Sequence, residues 1–244
     1  MNRDLGIVLG ILGFAFLTMG VYRITGAHLR HDPNESSDRG SFVLGNFVRS
    51  WFYWFVGPIE RAAIAVGLSP TAFNVIGVLF GCAAGACFVT GRVTLGGWAI
   101  LLGGAADVLD GRIARAQGIA NEKGAFLDST LDRFAEVGAF VGLVVLYRES
   151  VTALVVVATA LGGSLLVSYA RARGESLGVL CKVGVMQRAE RLLLVGFAAV
   201  FDPSITASLG WAPGTALFWA LSLVAVGTVG TAVYRTVWIA RRLS

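Results

Sequence analysis

From residue 70 onward the chain keeps returning to runs of about 20 residues with hardly a charge, the length a helix needs to cross a bilayer. Inside hydrocarbon no water satisfies backbone N–H and C=O groups, so each run must close its hydrogen bonds within itself as a helix. Spans are expected at about 70–89, 94–116, 124–147, 151–174, 187–201 and 214–238, the fifth short and indistinct at its start. Charged residues make up only 14% of the chain and apolar ones 56%, whereas a soluble domain carries about 25% charged residues. The fold class implied is an all-α integral membrane protein with a six-helix core. Glycine, at 32 residues, suits helices whose backbones approach closely in lipid. Cys82, Cys87 and Cys181 lie in or beside apolar segments and read as small packing residues.

Ahead of the core, residues 5–22 form an apolar run without a cleavage signal after it, expected to be an N-terminal membrane anchor. Residues 23–40 are rich in charge and turn formers and read as a linker. Trp51, Phe52, Tyr53, Trp54 and Phe55, flanked by Arg49, Glu60 and Arg61, predict a helix lying in the membrane interface. The expected division is thus 1–40 anchor and linker, 41–68 interfacial helix and 69–244 core. Ser69 followed by Pro70 is a strong start for the first core helix. The segments 23–69, 111–123 and 170–191 and the pair Arg241 and Arg242 are basic, whereas the turns near Gly91, Glu149 and Pro203 carry only Arg92 and Arg148. The basic side is expected to face the cytoplasm of a bacterial cell. The net charge of +5 reads as this loop bias, with no nucleic-acid partner.

Four aspartates interrupt the apolar pattern. Asp107 and Asp110 are three apart near the end of the second core span, and Asp128 and Asp132 are four apart at the start of the third. Both spacings place side chains on one helix face, and the short loop 117–123 makes the two spans antiparallel neighbours. An ionised group in a membrane span is costly and marks a functional site by default. Converging carboxylates need positive charge between them, and a hard divalent cation that bridges to phosphate supplies it. Gly111 allows close approach and Arg115 offers a planar cation suited to phosphate or a base edge. Two other readings of the spacing stay open: an ion-transport relay, and structural pairing with Arg112, Arg115 and Arg133.

The run Asp107-x-x-Asp110-Gly111-x-x-Ala114-Arg115, then eight residues, then Gly124-x-x-x-Asp128-x-x-x-Asp132, resembles the complete signature of the CDP-alcohol phosphatidyltransferase family. The resemblance covers roughly residues 50–240. It implies an enzyme of phospholipid synthesis that displaces CMP from CDP-diacylglycerol, joining the phosphatidyl group to an alcohol. It implies two divalent ions, magnesium or manganese, held by Asp107, Asp110, Asp128 and Asp132, with Asp132 also the general base. By the same resemblance Gly111, Arg115, Asn121 and Gly124 meet the nucleotide of the CDP-lipid, and Thr71 and Asn74 its cytidine end. Asn121 departs from the Ser or Thr frequent at its position but keeps hydrogen-bonding ability. For Thr71 and Asn74, helix capping and polar packing are an equal alternative. A homodimer embedded among membrane lipids is implied as well.

Arg171, Arg173, Lys182, Arg188 and Arg191 form a second basic group at helix ends. Positive-inside bias accounts for such residues, and so does a pocket that grips a phosphate through charge-assisted bonds. The stretch resembles the branch making phosphatidylinositol phosphate or archaetidylinositol phosphate. Gly174 stands where Ala is usual, and the Gly-Lys-x-Lys-Thr segment expected of a glycerophosphate user is missing. Inositol phosphate is therefore the expected acceptor, with glycerol 3-phosphate, inositol and serine as alternatives. A transporter is disfavoured because the acids gather at one membrane face, not at the midplane.

Overall fold

The computed structural model describes residues 3–29 and 45–243, and every described element is helical. In chain order these are α1 (Arg3–Ile24), a single 3-10 turn (Ala27–Leu29), α2 (Gly45–Ala65), α3 (Pro70–Val89), α4 (Val93–Ala116), α5 (Glu122–Leu146), α6 (Val151–Ser176), α7 (Arg188–Leu209) and α8 (Thr215–Leu243). Residues 30–40 of the expected linker and 41–44 of the expected interfacial segment lie outside the described residues.

Local chemistry sets the starts of α3, α5 and α6. Ser69 caps α3 by accepting from the Ala72 amide at 3.2 Å, with Pro70 in the first turn, where its missing N–H costs nothing. Asn121 caps α5 by accepting from the Gly124 amide at 2.8 Å, and Ser150 caps α6 through the Ala153 amide at 3.3 Å. The fifth core helix differs from expectation. It runs on to Leu209, eight residues beyond the anticipated end, with Pro203 inside it. A proline within an apolar helix is tolerated when neighbours satisfy the freed groups, and here α7 ends instead at Gly210, whose φ of 67° is left-handed. The Asp202 carboxylate beside that proline accepts from the amides of Gly214 at 2.7 Å and Leu217 at 3.1 Å, tying the end of α7 to the start of α8.

Five described helices, α3, α4, α6, α7 and α8, are long and apolar enough to cross a membrane. α5 has 25 residues but falls outside that group because Glu122, Lys123, Asp128, Asp132, Arg133 and Glu136 crowd its first half. The apolar stretch Leu9–Ile24 of α1 is shorter still. α2 buries Tyr53, Val56, Glu60 and Ala63, a stripe spaced by three and four residues, while Trp54, Phe55 and Ile59 stay exposed. Aromatic contacts join α1 to α2, with Tyr22 of α1 buried between Phe47 and Trp54 at ring separations of 5.7 and 5.5 Å.

α3 lies against both α4 and α5, α4 against α7, and α6 against α8. The α3–α5 crossing is backbone on backbone: a Cβ on Gly85 would strike the Gly138 carbonyl, and one on Gly142 would strike the Gly85 backbone. One apolar core runs through α3 to α8 around Phe88, Phe140, Leu143, Leu217, Leu221 and Val224. A smaller one joins α2, α3 and α4 through Val56, Ala63, Phe73, Ala106, Leu109 and Ile113. The acidic residues sit at the ends of α4 and α5 beside this smaller core.

Candidate active site

The last three turns of α4 and the first three of α5 bring the acids together. Asp107 and Asp110 from α4 and Asp128 from α5 each offer a carboxylate oxygen, and these atoms all lie within 4.8 Å of one another. Asp110 is 3% exposed. Its Oδ2 and the Oδ1 of Asp128 are buried without a hydrogen-bond partner. A buried anionic oxygen left without a donor is costly, and three hard oxygen donors at this spacing suit a divalent cation such as magnesium or manganese. The residues present therefore fit such an ion.

Asp132 is not in that group of three. It stands one turn beyond Asp128 and is joined to the site by Arg188, the first residue of α7. The Arg188 guanidinium reaches Asp107 Oδ1 with Nη1 at 2.6 Å and Asp132 Oδ1 with Nη2 at 2.8 Å. A planar fork bridging two carboxylates fixes both in direction. Arg188 thus sits in the acidic site itself. A cavity of about 10 Å³, the scale of one water, is lined here by Asn74, Asp107, Asp132 and Arg188 with Phe73, Leu131 and Ala135. Asn74 is accordingly buried at this site, whereas Thr71 is exposed at the start of α3.

The remaining predicted residues lie at helix ends and in the connecting segments. Gly111 and Arg115 are part-buried on the last turns of α4. Asn121 and Gly124 are exposed, and the Asn121 side chain caps α5 while donating to the Ile119 carbonyl at 2.9 Å. Arg171 and Arg173 are exposed at the end of α6, Arg171 paired with Glu175 at 2.8 Å, and Lys182 is part-buried in the segment before α7. Arg191 differs from these. It is 3% exposed and holds Glu136 through Nε at 3.1 Å and Nη2 at 3.3 Å, while Nη1 donates to the Met186 carbonyl at 3.3 Å. These three bonds are all internal to the fold.

Two buried ion pairs near the site were not foreseen in the sequence: Glu136 with Arg191, and Glu60, read only as a flank of the aromatic run, with Arg112 at 2.6 Å. Glu136 continues the Asp128–Asp132 spacing by one more turn, a signal the pattern did carry. Glu60 sits on the buried stripe of α2, and nothing in its spacing names a partner 52 residues away. Of the arginines that spacing offered to the acids, Arg112 turns to Glu60, and Arg133 donates to the Ser129 carbonyl. A cavity of about 610 Å³ lies at the opposite ends of the helices between Arg92, Thr206 and Trp211 and holds none of these groups.

The CDP-alcohol phosphatidyltransferase family model matches residues 68–238. An archaetidylinositol phosphate synthase of Methanothermobacter thermautotrophicus is 38% identical over 141 residues, 58% of this chain and 69% of that protein. A phosphatidylinositol phosphate synthase of Mycobacteroides abscessus is 32% identical over 191 residues, 77% of this chain and 86% of that one. Among solved structures, phosphatidylinositol phosphate synthase of Mycobacterium tuberculosis with CDP-DAG bound superimposes with a TM-score of 0.65 at 28% identity, covering 75% of this chain and 92% of that one. The same enzyme in complex with manganese and citrate gives a TM-score of 0.65 at 30% identity, with 74% and 88% covered. Acidic cluster, helical architecture and matched residues agree, and the chain belongs to the CDP-alcohol phosphatidyltransferase family.

Proposed function

We propose that this chain transfers the phosphatidyl group of CDP-diacylglycerol to an inositol phosphate, releasing CMP. The observation that carries this reading is the convergence of Asp107, Asp110 and Asp128 with two buried oxygens left without hydrogen-bond partners. The names of the relatives and the CDP-DAG bound to the M. tuberculosis enzyme support the substrates. Two divalent ions, magnesium or manganese, would be held by these three aspartates with Asp132 beside them. Bound there, they supply charge neutralisation to the diphosphate and to the departing CMP.

The chain's own residues do the rest. In the transfer, the acceptor hydroxyl oxygen forms a bond to the lipid-bearing phosphorus, and the bond from that phosphorus to the CMP oxygen breaks. Asp132 takes the hydroxyl proton as general base. Arg188 fixes the direction of the Asp132 carboxylate and brings positive charge to the acceptor side. Gly111 leaves room for the diphosphate, and Arg115, Asn121, Gly124, Thr71 and Asn74 border the nucleotide. Arg171 and Arg173 at the end of α6 and Lys182 before α7 draw a phosphorylated acceptor, and Arg191, at the start of α7, serves that side by holding Glu136. α5 is the sixth membrane crossing, its charged half packed toward the site and its apolar half against α3 and α6. The site faces the cytoplasm, residues 1–40, 41–68 and 69–244 act as anchor with linker, interfacial helix and catalytic core, and the enzyme works as a homodimer.

The test is CMP release by purified protein with CDP-diacylglycerol and magnesium, against inositol 1-phosphate, inositol, glycerol 3-phosphate and serine, with an EDTA control. Metal-dependent release with inositol 1-phosphate is expected. Release with another alcohol alone would reassign the acceptor, and silence without CDP-lipid binding would overturn the reading.

A further inference from the structure

Glu60 is an unusual residue to find on the buried face of an interfacial helix. It is 5% exposed among Tyr53, Val56 and Ala63, where an unpaired carboxylate is costly. Its partner is Arg112 of α4, itself 4% exposed, with Nε at 2.6 Å from Glu60 Oε2 and the guanidinium 4.8 Å from the centre of the Tyr53 ring. The smaller apolar core, from Val56 to Ile113, surrounds the pair. Among the described residues this is the buried ion pair that ties α2 to the membrane core.

Its position on α4 gives it a role. Arg112 follows Asp110 by two residues and Asp107 by five, which is about 200° and about 140° around a helix of 3.6 residues per turn. α4 is therefore held on one side by Glu60 while its other side presents Asp110 and Asp107 to α5 and α7. Turning α4 by one residue would break a 2.6 Å contact and carry Asp110 away from Asp128. Ion pairs of this kind add little to stability compared with well-packed apolar side chains. What such a pair supplies is a single permitted rotation and height.

We infer that Glu60, through Arg112 and the Tyr53 ring, is a positioning residue for the acidic cluster, so that the interfacial helix α2 sets the metal-binding geometry of α4. This rests on the metal-dependent transfer proposed above. It makes the membrane-surface helix part of the catalytic apparatus and not only an anchor.

The test uses the full chain in detergent, with manganese binding followed by electron paramagnetic resonance, CMP release measured in parallel, and thermal unfolding as a record of the fold. Two variants are needed: Glu60→Gln, and the apolar pair Glu60→Leu with Arg112→Met. Glu60→Gln should raise the manganese Kd about tenfold or more, the loss found when residues that orient metal ligands are removed. The apolar pair carries no buried unpaired charge and should unfold near the wild-type temperature. It should nevertheless keep the weakened manganese binding, and kcat should fall while KM for the CDP-lipid stays within about twofold, as lost transition-state stabilisation requires. An apolar pair with wild-type manganese affinity and kcat overturns the inference and leaves Glu60 as packing. Manganese binding that Asp110→Asn does not weaken would overturn the proposed metal-dependent reaction, and the positioning role with it.

Discussion

Arg188 spends one guanidinium on two carboxylates, Asp107 in the group of three and Asp132 beside it. That sharing fixes the direction of the Asp132 carboxylate before any substrate arrives, as the general-base role proposed for it requires. Asp132→Asn should lower CMP release by about a hundredfold to ten-thousandfold, the usual worth of a positioned base. CDP-diacylglycerol binding, followed by equilibrium titration, should stay near wild type. Normal turnover in that variant would remove Asp132 from the chemistry. Arg191 calls for the opposite expectation. Its side chain and that of Glu136 are 3% and 5% exposed, so Arg191→Ala strands a buried carboxylate at a cost of about 3–5 kcal/mol. The unfolding temperature should drop, and CMP release should fall with every acceptor alike. A defect confined to phosphorylated acceptors, with the fold intact, would instead place Arg191 in direct contact with the acceptor.

Helices meet in this protein where side chains are missing. At the α3–α5 crossing, Gly85 and Gly142 let one backbone rest on the other. Gly142→Ala should destabilise by about 1–3 kcal/mol, the cost of overpacking a filled interior, seen as a lower unfolding temperature in detergent. Because α5 carries Asp128 and Asp132 earlier on the same helix, CMP release should fall too. The start of α3 was legible because Ser69 acts on its own first turn, as Asn121 and Ser150 do for α5 and α6. The end of α7 was not. Pro203 reads as a stop, yet α7 continues to Leu209 because Asp202 reaches forward to cap α8 and the turn falls at Gly210. Asp202→Ala would leave the Gly214 and Leu217 amides buried without acceptors, a loss of about 1–3 kcal/mol readable as an earlier thermal transition.

Across the whole molecule, metal and fold are separable, since the main apolar core is built from α3 to α8 without the acidic residues. Removing divalent ions with EDTA should therefore abolish CMP release while leaving the unfolding temperature nearly unchanged, and excess magnesium or manganese should restore activity. A collapse of the fold on chelation would make the ion structural. The sequence by itself determined the helical membrane class and placed Asp107 with Asp110, and Asp128 with Asp132, on shared helix faces, because helix period is a local property that spacing specifies, whereas the meeting of Asp107, Asp110 and Asp128 came with the packing of α4 and α5 against α3. It also carried the family signature that residues 68–238 match. Only the tertiary structure decided where the arginines point. Arg112 goes to Glu60, Arg188 to Asp107 and Asp132, and Arg191 to Glu136. A long cationic side chain chooses among several carboxylates by which one shares its desolvated space, and that choice exists only after distant helices have packed.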